Sequence, residues 1–181
     1  RKFFILGLLV SMLVPLNSVQ ALFQDIAGSD YEESIEALAE LGAISGYVDG
    51  SYQPDAPVNR AELLKIVFLT LGVDITEVGS CFSDVNDEWF APYVCQAKSL
   101  EIVTGYSDKY FKPQQEVNMA EAFKIINEAF GVVLRDLKEG EVWYAAYADF
   151  MHNNDLASKY SYFPYRSATR GEVAFWIHQI L

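Results

Sequence analysis

Residues 23–73 and 82–132 are two copies of one pattern. At an offset of 59 positions, Phe23, Asp25, Leu41, Gly46, Tyr47, Asp49, Pro54, Val58, Asn59, Ala61, Glu62, Lys65, Ile66, Gly72 and Val73 each meet an identical residue, with no gap between them. Such internal repetition constrains the fold more than any other feature of the chain. A small unit that cannot bury its apolar face alone gains stability by packing against copies of itself. An array of this kind usually offers a binding surface, not a single catalytic cleft.

Each copy runs through the same steps. An aromatic-x-acidic opening (Phe23-Gln-Asp25, Phe82-Ser-Asp84) leads into a stretch with apolar residues at helical spacing. These are Tyr31, Ile35, Leu38 and Leu41 in one copy, and Phe90, Val94, Ala97 and Leu100 in the other. A turn-rich loop follows, GYVDGSYQP over 46–54 and GYSDKYFKP over 105–113. Gly46 and Gly105 suit a helix end or a tight turn, and Pro54 and Pro113 cannot continue a preceding helix. A second helix then starts at a capping box, Asn59-Arg-Ala-Glu62 or Asn118-Met-Ala-Glu121. Its apolar stripe is Ala61, Leu64, Val67, Phe68 and Leu71, or Ala120, Phe123, Ile126 and Phe130, and Gly72 and Gly131 end it.

A degenerate third unit fills residues 143–181. Trp143, Tyr144 and Tyr147 match Trp89, Phe90 and Tyr93; Pro164 matches Pro113; and Thr169-Arg-Gly-Glu172 is again a capping box, continued by Ala174, Ile177 and Leu181. The Phe-x-Asp opening and the Gly-Tyr-x-Asp loop are missing, and residues 133–142 read as a polar connection. The expected organisation is therefore three helix-loop-helix units, at 22–75, 80–133 and 140–181, in an all-α chain, with no further domain read after the third.

Residues 1–21 read as an export signal. Arg1 and Lys2 precede an apolar run (3–14), and Val19-Gln20-Ala21 fits a small-residue cleavage site. The run is short of the roughly 20 residues that span a bilayer, so no membrane association is expected after cleavage. The chain opens on Arg1 rather than Met, so its N-terminus is expected to be incomplete. The net charge of −12 argues against nucleic acid and anionic membranes, which require dense Lys and Arg. Cys81 and Cys95 are expected to form a disulfide, as suits an exported chain, contributing roughly 3 kcal/mol by closing a short loop.

Taken together these residues resemble the S-layer homology family. Gly42-Ala-Ile-Ser-Gly46-Tyr47-Val-Asp49-Gly50-Ser-Tyr52-Gln-Pro54 and Val58-Asn59-Arg60-Ala61-Glu62 follow that family's loop and its T-R-A-E helix start. The resemblance implies units packed around a pseudo-threefold axis. It also implies non-covalent attachment to cell-wall glycan, often a pyruvylated secondary polysaccharide, in grooves between units with the motif arginine as a principal contact. On that basis Arg60 and Arg170 are candidate anion contacts. Gly46, Tyr47, Asp49, Tyr52, Gly105, Tyr106, Asp108 and Trp89 are candidate glycan residues. The chain departs from the pattern at Met119, Gly171, Glu101 and Lys109, so one or two competent pockets are expected, not three.

The physics of the arginine can be argued separately. At the first turn of a capped helix, positive potential and open N–H groups would support a guanidinium that grips a carboxylate. Plainer roles stand beside these. Asp49 and Asp108 suit turn-shaping, Trp89 and Trp143 suit packing between units, and Glu62, Glu121 and Glu172 suit caps. Asp84–Glu88 makes a poor calcium loop, since Trp89 occupies the glycine position and Cys95 the position of the final glutamate. His152 and His178 belong to no catalytic motif, and His178 falls on the last apolar stripe. The expectation is a non-enzymatic wall-binding protein with no cofactor and with an envelope protein as a further partner. The alternative is a helical scaffold whose glycan pockets have decayed.

Overall fold

The computed structural model describes residues 22–76, 79–106, 109–157 and 163–181. The export signal and Asp108 lie outside them. The architecture is all-helical: α1 (Glu32–Glu40), α2 (Arg60–Leu71), α3 (Ala91–Ser99), α4 (Met119–Ala129), α5 (Ala145–Asn153) and α6 (Arg170–Ile180). None is long and apolar enough to cross a membrane.

The second helix of each unit starts as its sequence dictates. Asn59, Asn118 and Thr169 each accept from the backbone N–H three residues on, and Glu62, Glu121 and Glu172 reach back to the cap residue, completing three capping boxes. The first helices lack a side-chain cap and have only nine residues each. Helices that short are marginal in isolation, so tertiary packing must hold them. Their stripes end sooner than expected: Leu41 and Leu100 fall at the C-caps and are exposed.

The packing partners cross the repeat boundaries. Helix α3 packs on α2, α5 on α4, and α1 on α6. Each first helix thus rests on the second helix of the preceding unit, and the last of these pairings joins the two ends of the array. Helices α2, α4 and α6 gather at the centre. Helix α2 touches both of the others, and Phe123 meets Trp176 edge-on at 4.8 Å. This central position explains why α2 buries Leu63 and Ile66 as well as Leu64, Val67 and Phe68, leaving no polar face of ordinary width. His178 sits on the α6 face turned to α1, where Nδ1 lies 3.1 Å from the buried Ser34 hydroxyl.

A ring of backbone hydrogen bonds defines the pseudo-threefold axis. Val58 N–H donates to Ala168 O (3.0 Å), Ala168 N–H to Val117 O (2.9 Å) and Val117 N–H to Val58 O (2.9 Å). All three side chains are fully buried. The residue before each capping box therefore binds its two counterparts, and the circle closes.

The aromatic-x-acidic opening fixes each loop. Asp25 accepts from Tyr52 N–H and Gln53 N–H, both at 2.7 Å, and Asp84 accepts from Phe111 N–H (2.8 Å) and Lys112 N–H (2.7 Å). The opening phenylalanine lies where a side chain at the loop glycine would go. A Cβ on Gly46 or on Gly105 would stand 2.4 Å from Cε1 of Phe23 or Phe82. Cys81 and Cys95 are disulfide-bonded, tying the start of the second unit to α3.

The third unit keeps this backbone without the sequence. Leu156 and Ala157 N–H groups both donate to Met151 O, as Ala43 and Ile44 do to Leu38 and as Ile102 and Val103 do to Ala97. Asp155 takes the left-handed turn (φ 58°) that Gly42 takes in the first unit and Glu101 (φ 60°) takes in the second. A left-handed non-glycine residue costs about 1–2 kcal/mol. Glu101→Gly should therefore raise the urea midpoint, by about 1 kcal/mol in unfolding free energy, with an unchanged m-value. Gly171 behaves in the opposite sense, because a Cβ there would lie 2.3 Å from Tyr31. Gly171→Ala should destabilise by about 1–3 kcal/mol although the other units carry Ala at this position, and most of that loss should vanish in a Tyr31→Ala background when a double-mutant cycle is measured.

Candidate glycan clefts between the units

The two motif arginines do not face the loops of their own repeats. Arg60, first residue of α2, reaches into the second unit and is only 6% exposed. Its Nε–H donates to Phe111 O at 3.0 Å, and its guanidinium lies over the rings of Phe111 (4.6 Å) and Tyr106 (5.0 Å). Nη1 stands 3.5 Å from Glu121 Oε1, which also accepts the Tyr106 hydroxyl at 3.0 Å. Burial is the main cause that pushes the Tyr106 phenol above its ordinary value, against the lowering effect of Arg60. Arg60, Tyr106 and Glu121 border a cleft of about 180 Å³, whose other walls include Gly105, Lys124, Ile125 and Trp143.

Arg170, first residue of α6, repeats this geometry against the first unit. Nε–H donates to Tyr52 O (2.9 Å), Nη2 to Ser45 O (3.1 Å), and the guanidinium lies over Tyr52 (4.4 Å) and Tyr47 (5.1 Å). The Tyr52 hydroxyl returns a bond to Arg170 O at 3.1 Å. The structure therefore groups Arg60 with Gly105 and Tyr106, and Arg170 with Gly46, Tyr47 and Tyr52. These arginines are anchored on loop carbonyls, not dangling in solvent. A buried guanidinium survives there because carbonyls and ring faces replace part of its hydration.

Several expectations need correction. The first-turn N–H groups are not open to an anion. Arg60 N–H donates to Gln115 O, Ala61 N–H to Pro113 O and Glu62 N–H to the Asn59 side chain, with Arg170 and Gly171 similarly bound to Ala56 O and Pro54 O. These helix starts are capped by the neighbouring loop. Tyr52 has no exposed surface and forms the wall behind Arg170, so its ring is closed to a sugar. Trp89 and Trp143 are not packed away between units but stand 53% and 46% exposed. Asp49 shapes its turn: the hydroxyl and N–H of Ser51 both donate to Oδ1, the hydroxyl being the larger cause that holds the carboxyl below its ordinary value.

The sequence marks Lys65 and Lys124 only as a repeat identity and Trp143 only as a packing residue, not as cleft residues. Lys124 and Trp143 line the Arg60 cleft, and Lys65 Nζ lies 5.3 Å from the Trp89 ring centroid. A signal existed, since Lys65 and Lys124 are identical in the two copies and Trp143 aligns with Trp89. At the third position the buried Met119 replaces arginine. The cleft beside α6, about 320 Å³, is lined by Asp30, Tyr31, Asp155, Leu156, Ala157, Glu172, Phe175 and Trp176, with no Lys or Arg among the described lining residues. Its Glu172 is taken by Arg166 (Nη1 to Oε2, 2.8 Å).

Residues 22–64 and 82–123 match the model of the S-layer homology domain. The chain belongs to the S-layer homology family. It is 37% identical over 57% of its length to the middle cell wall protein of Brevibacillus brevis, and 35% identical over 55% to a surface layer protein of Brevibacillus choshinensis. It is 27% identical over 70% to a cellulosome-anchoring protein of Acetivibrio thermocellus. The matched segments cover 10%, 9% and 31% of those relatives, so the chain spans only a fraction of each.

Two predictions follow from the cleft walls. Burial pushes the Tyr52 phenol up to about 12, outweighing the lowering effect of Arg170. An unfolded tyrosine titrates near 10, so the folded state holds this proton more tightly. The associated stability is complete below about pH 10 and is lost as pH rises through about 12. Tyr52→Phe should flatten the decline in denaturant midpoint across that window. Arg60→Met and Arg170→Met copy the residue that the second unit already places in this position, so each variant should retain its far-UV circular dichroism and a cooperative melt.

Proposed function

We propose that this chain is an exported cell-envelope module that binds cell-wall polysaccharide non-covalently, with Arg60 and Arg170 each holding an acidic sugar. The observation that carries the reading is the pre-set pair of guanidinium groups. Each is fixed by a loop carbonyl through Nε and backed by aromatic rings of a neighbouring unit, and Arg60 lines a cleft there. A donor fixed before the ligand arrives loses little further entropy on binding. Guanidinium geometry suits a carboxylate, and a pyruvylated sugar supplies one.

Aromatic surface supports the same reading. Half-exposed Tyr47, Trp89 and Trp143 offer ring faces to sugar C–H groups, and Lys65 and Lys124 add charge at two of them. The names of the relatives point to cell walls, surface layers and anchoring, and an anchoring role for this chain agrees with them. Non-enzymatic action fits the carboxylate inventory: Asp25 and Asp84 clamp loops, and Glu62, Glu121 and Glu172 complete capping boxes. At the cleft beside α6, where no Lys or Arg stands among the described lining residues, the scaffold role is favoured.

Pull-down on sacculi of the producing bacterium tests this. Arg60→Met and Arg170→Met should each weaken retention roughly tenfold, the scale of one charge-assisted hydrogen bond, and the double variant should be released. Undiminished retention of the double variant would show that the arginines are not the contacts. A wild-type chain that fails to bind sacculi would leave the scaffold role in its place.

A further inference from the structure

We propose that the Arg60 cleft continues into a second anion subsite on the second unit, so that the ligand held there is a chain carrying at least two negative charges. The inference rests on the glycan-binding reading above and specifies the ligand at one of its clefts.

Charge in the second unit runs against the trend of the protein. Between residues 32 and 53 the first unit carries Glu32, Glu33, Glu36, Glu40 and Asp49 and no basic residue. The corresponding stretch of the second unit, 91–112, has lost all four helix glutamates and carries Lys98, Lys109 and Lys112 against Glu101 and Asp108. In a chain of net charge −12 this concentrates cations in one short stretch. The register identifies the gains: Lys98 stands where the first unit has Ala39, Lys109 where it has Gly50, and Lys112 where it has Gln53.

The structure gathers these lysines beside the Arg60 cleft. A second cleft of about 400 Å³ is lined by Lys98 and Lys109 and shares Thr104 and Tyr106 with the first. Lys112 Nζ lies 4.4 Å and the Arg60 guanidinium carbon 5.0 Å from the Tyr106 ring centroid, so Tyr106 links the arginine with the lysine-bearing loop. A covalent tie also fixes this surface. The disulfide is confined to the second unit, where Leu22 and Glu36 are its first-unit counterparts. It fixes the wall whose Cys81 carbonyl accepts from Lys98 Nζ at 2.5 Å. A polyanionic glycan laid across Tyr106 would place one acidic group at Arg60 and another among the lysines.

The test uses the full chain with Lys98→Ala, Lys109→Gly and Lys112→Gln combined, residues that the first unit already tolerates at these places. A control of equal net charge carries Lys138→Gln, Asn153→Asp and Gln179→Glu, all at exposed positions. Binding is measured to glycan fragments released from the sacculi and fractionated by length. The triple lysine variant should bind fragments with one acidic sugar like the wild type and lose roughly tenfold or more on longer fragments. The slope of log affinity against log salt on the longer fragments should also become shallower, while the control keeps the wild-type slope. Equal affinity of the lysine variant and the control for long fragments would overturn the second subsite. Undiminished binding by the Arg60→Met, Arg170→Met double variant would instead overturn the reading on which it rests.

Discussion

The fold depends on one exchange of backbone hydrogen bonds. Val58, Val117 and Ala168 bind each other around the axis, and beside that ring each second helix gives its first two N–H groups to the loop of a neighbouring unit. Helix starts leave donors that must find acceptors, and burying them unsatisfied would cost several kcal/mol in total. No unit here meets that demand alone. Gln115 and Pro113 serve α2, Arg166 and Pro164 serve α4, and Ala56 and Pro54 serve α6. Cooperativity among the three units is thus written into the backbone and does not depend on side-chain identity.

The same exchange places the arginines. Because a helix start is capped by the next unit's loop, the first helical side chain must lie against that loop. Arg60 therefore meets Phe111 and Tyr106, and Arg170 meets Tyr52 and Tyr47. Capping and cleft formation are one event. The geometry also assigns the work of charge recognition to side chains, since the helix N–H groups are already spent on carbonyls. A chain that binds an anion by this route keeps its helix starts dry and presents only the guanidinium.

Local features of this fold were legible in the residues. The three capping boxes, the glycine helix stops and the disulfide each depend on side chains close together in sequence, and each appears where expected. Pairing was not legible. An apolar stripe such as Ile35 and Leu38 says which face is buried but not that α6 covers it. Tyr52 carries no mark that separates a buried wall from an exposed platform; only its contact with Arg170 decides. The third unit hid its loop because the bonds from Leu156 and Ala157 to Met151 are made by backbone, which no side-chain motif reports.

Threefold closure also frees each unit to diverge. The ring and the capping bonds hold whatever side chains occupy the clefts, so Met119 replaces arginine without disturbing the start of α4. Cleft chemistry can then drift independently at three places. Lysines line one cleft, Arg170 lies against two tyrosines, and the cleft beside α6 has no Lys or Arg among its described lining residues, with Phe175 at the position of Lys65 and Lys124. Divergence has limits where the backbone is special. Gly171 is held by the Tyr31 ring pressed against it, and Gly46 by Phe23. Where no ring intrudes, as at Glu101, the chain tolerates a left-handed non-glycine residue and absorbs a cost of about 1–2 kcal/mol. Steric contact, within a unit at Gly46 and across units at Gly171, therefore decides which of these positions the fold holds fixed.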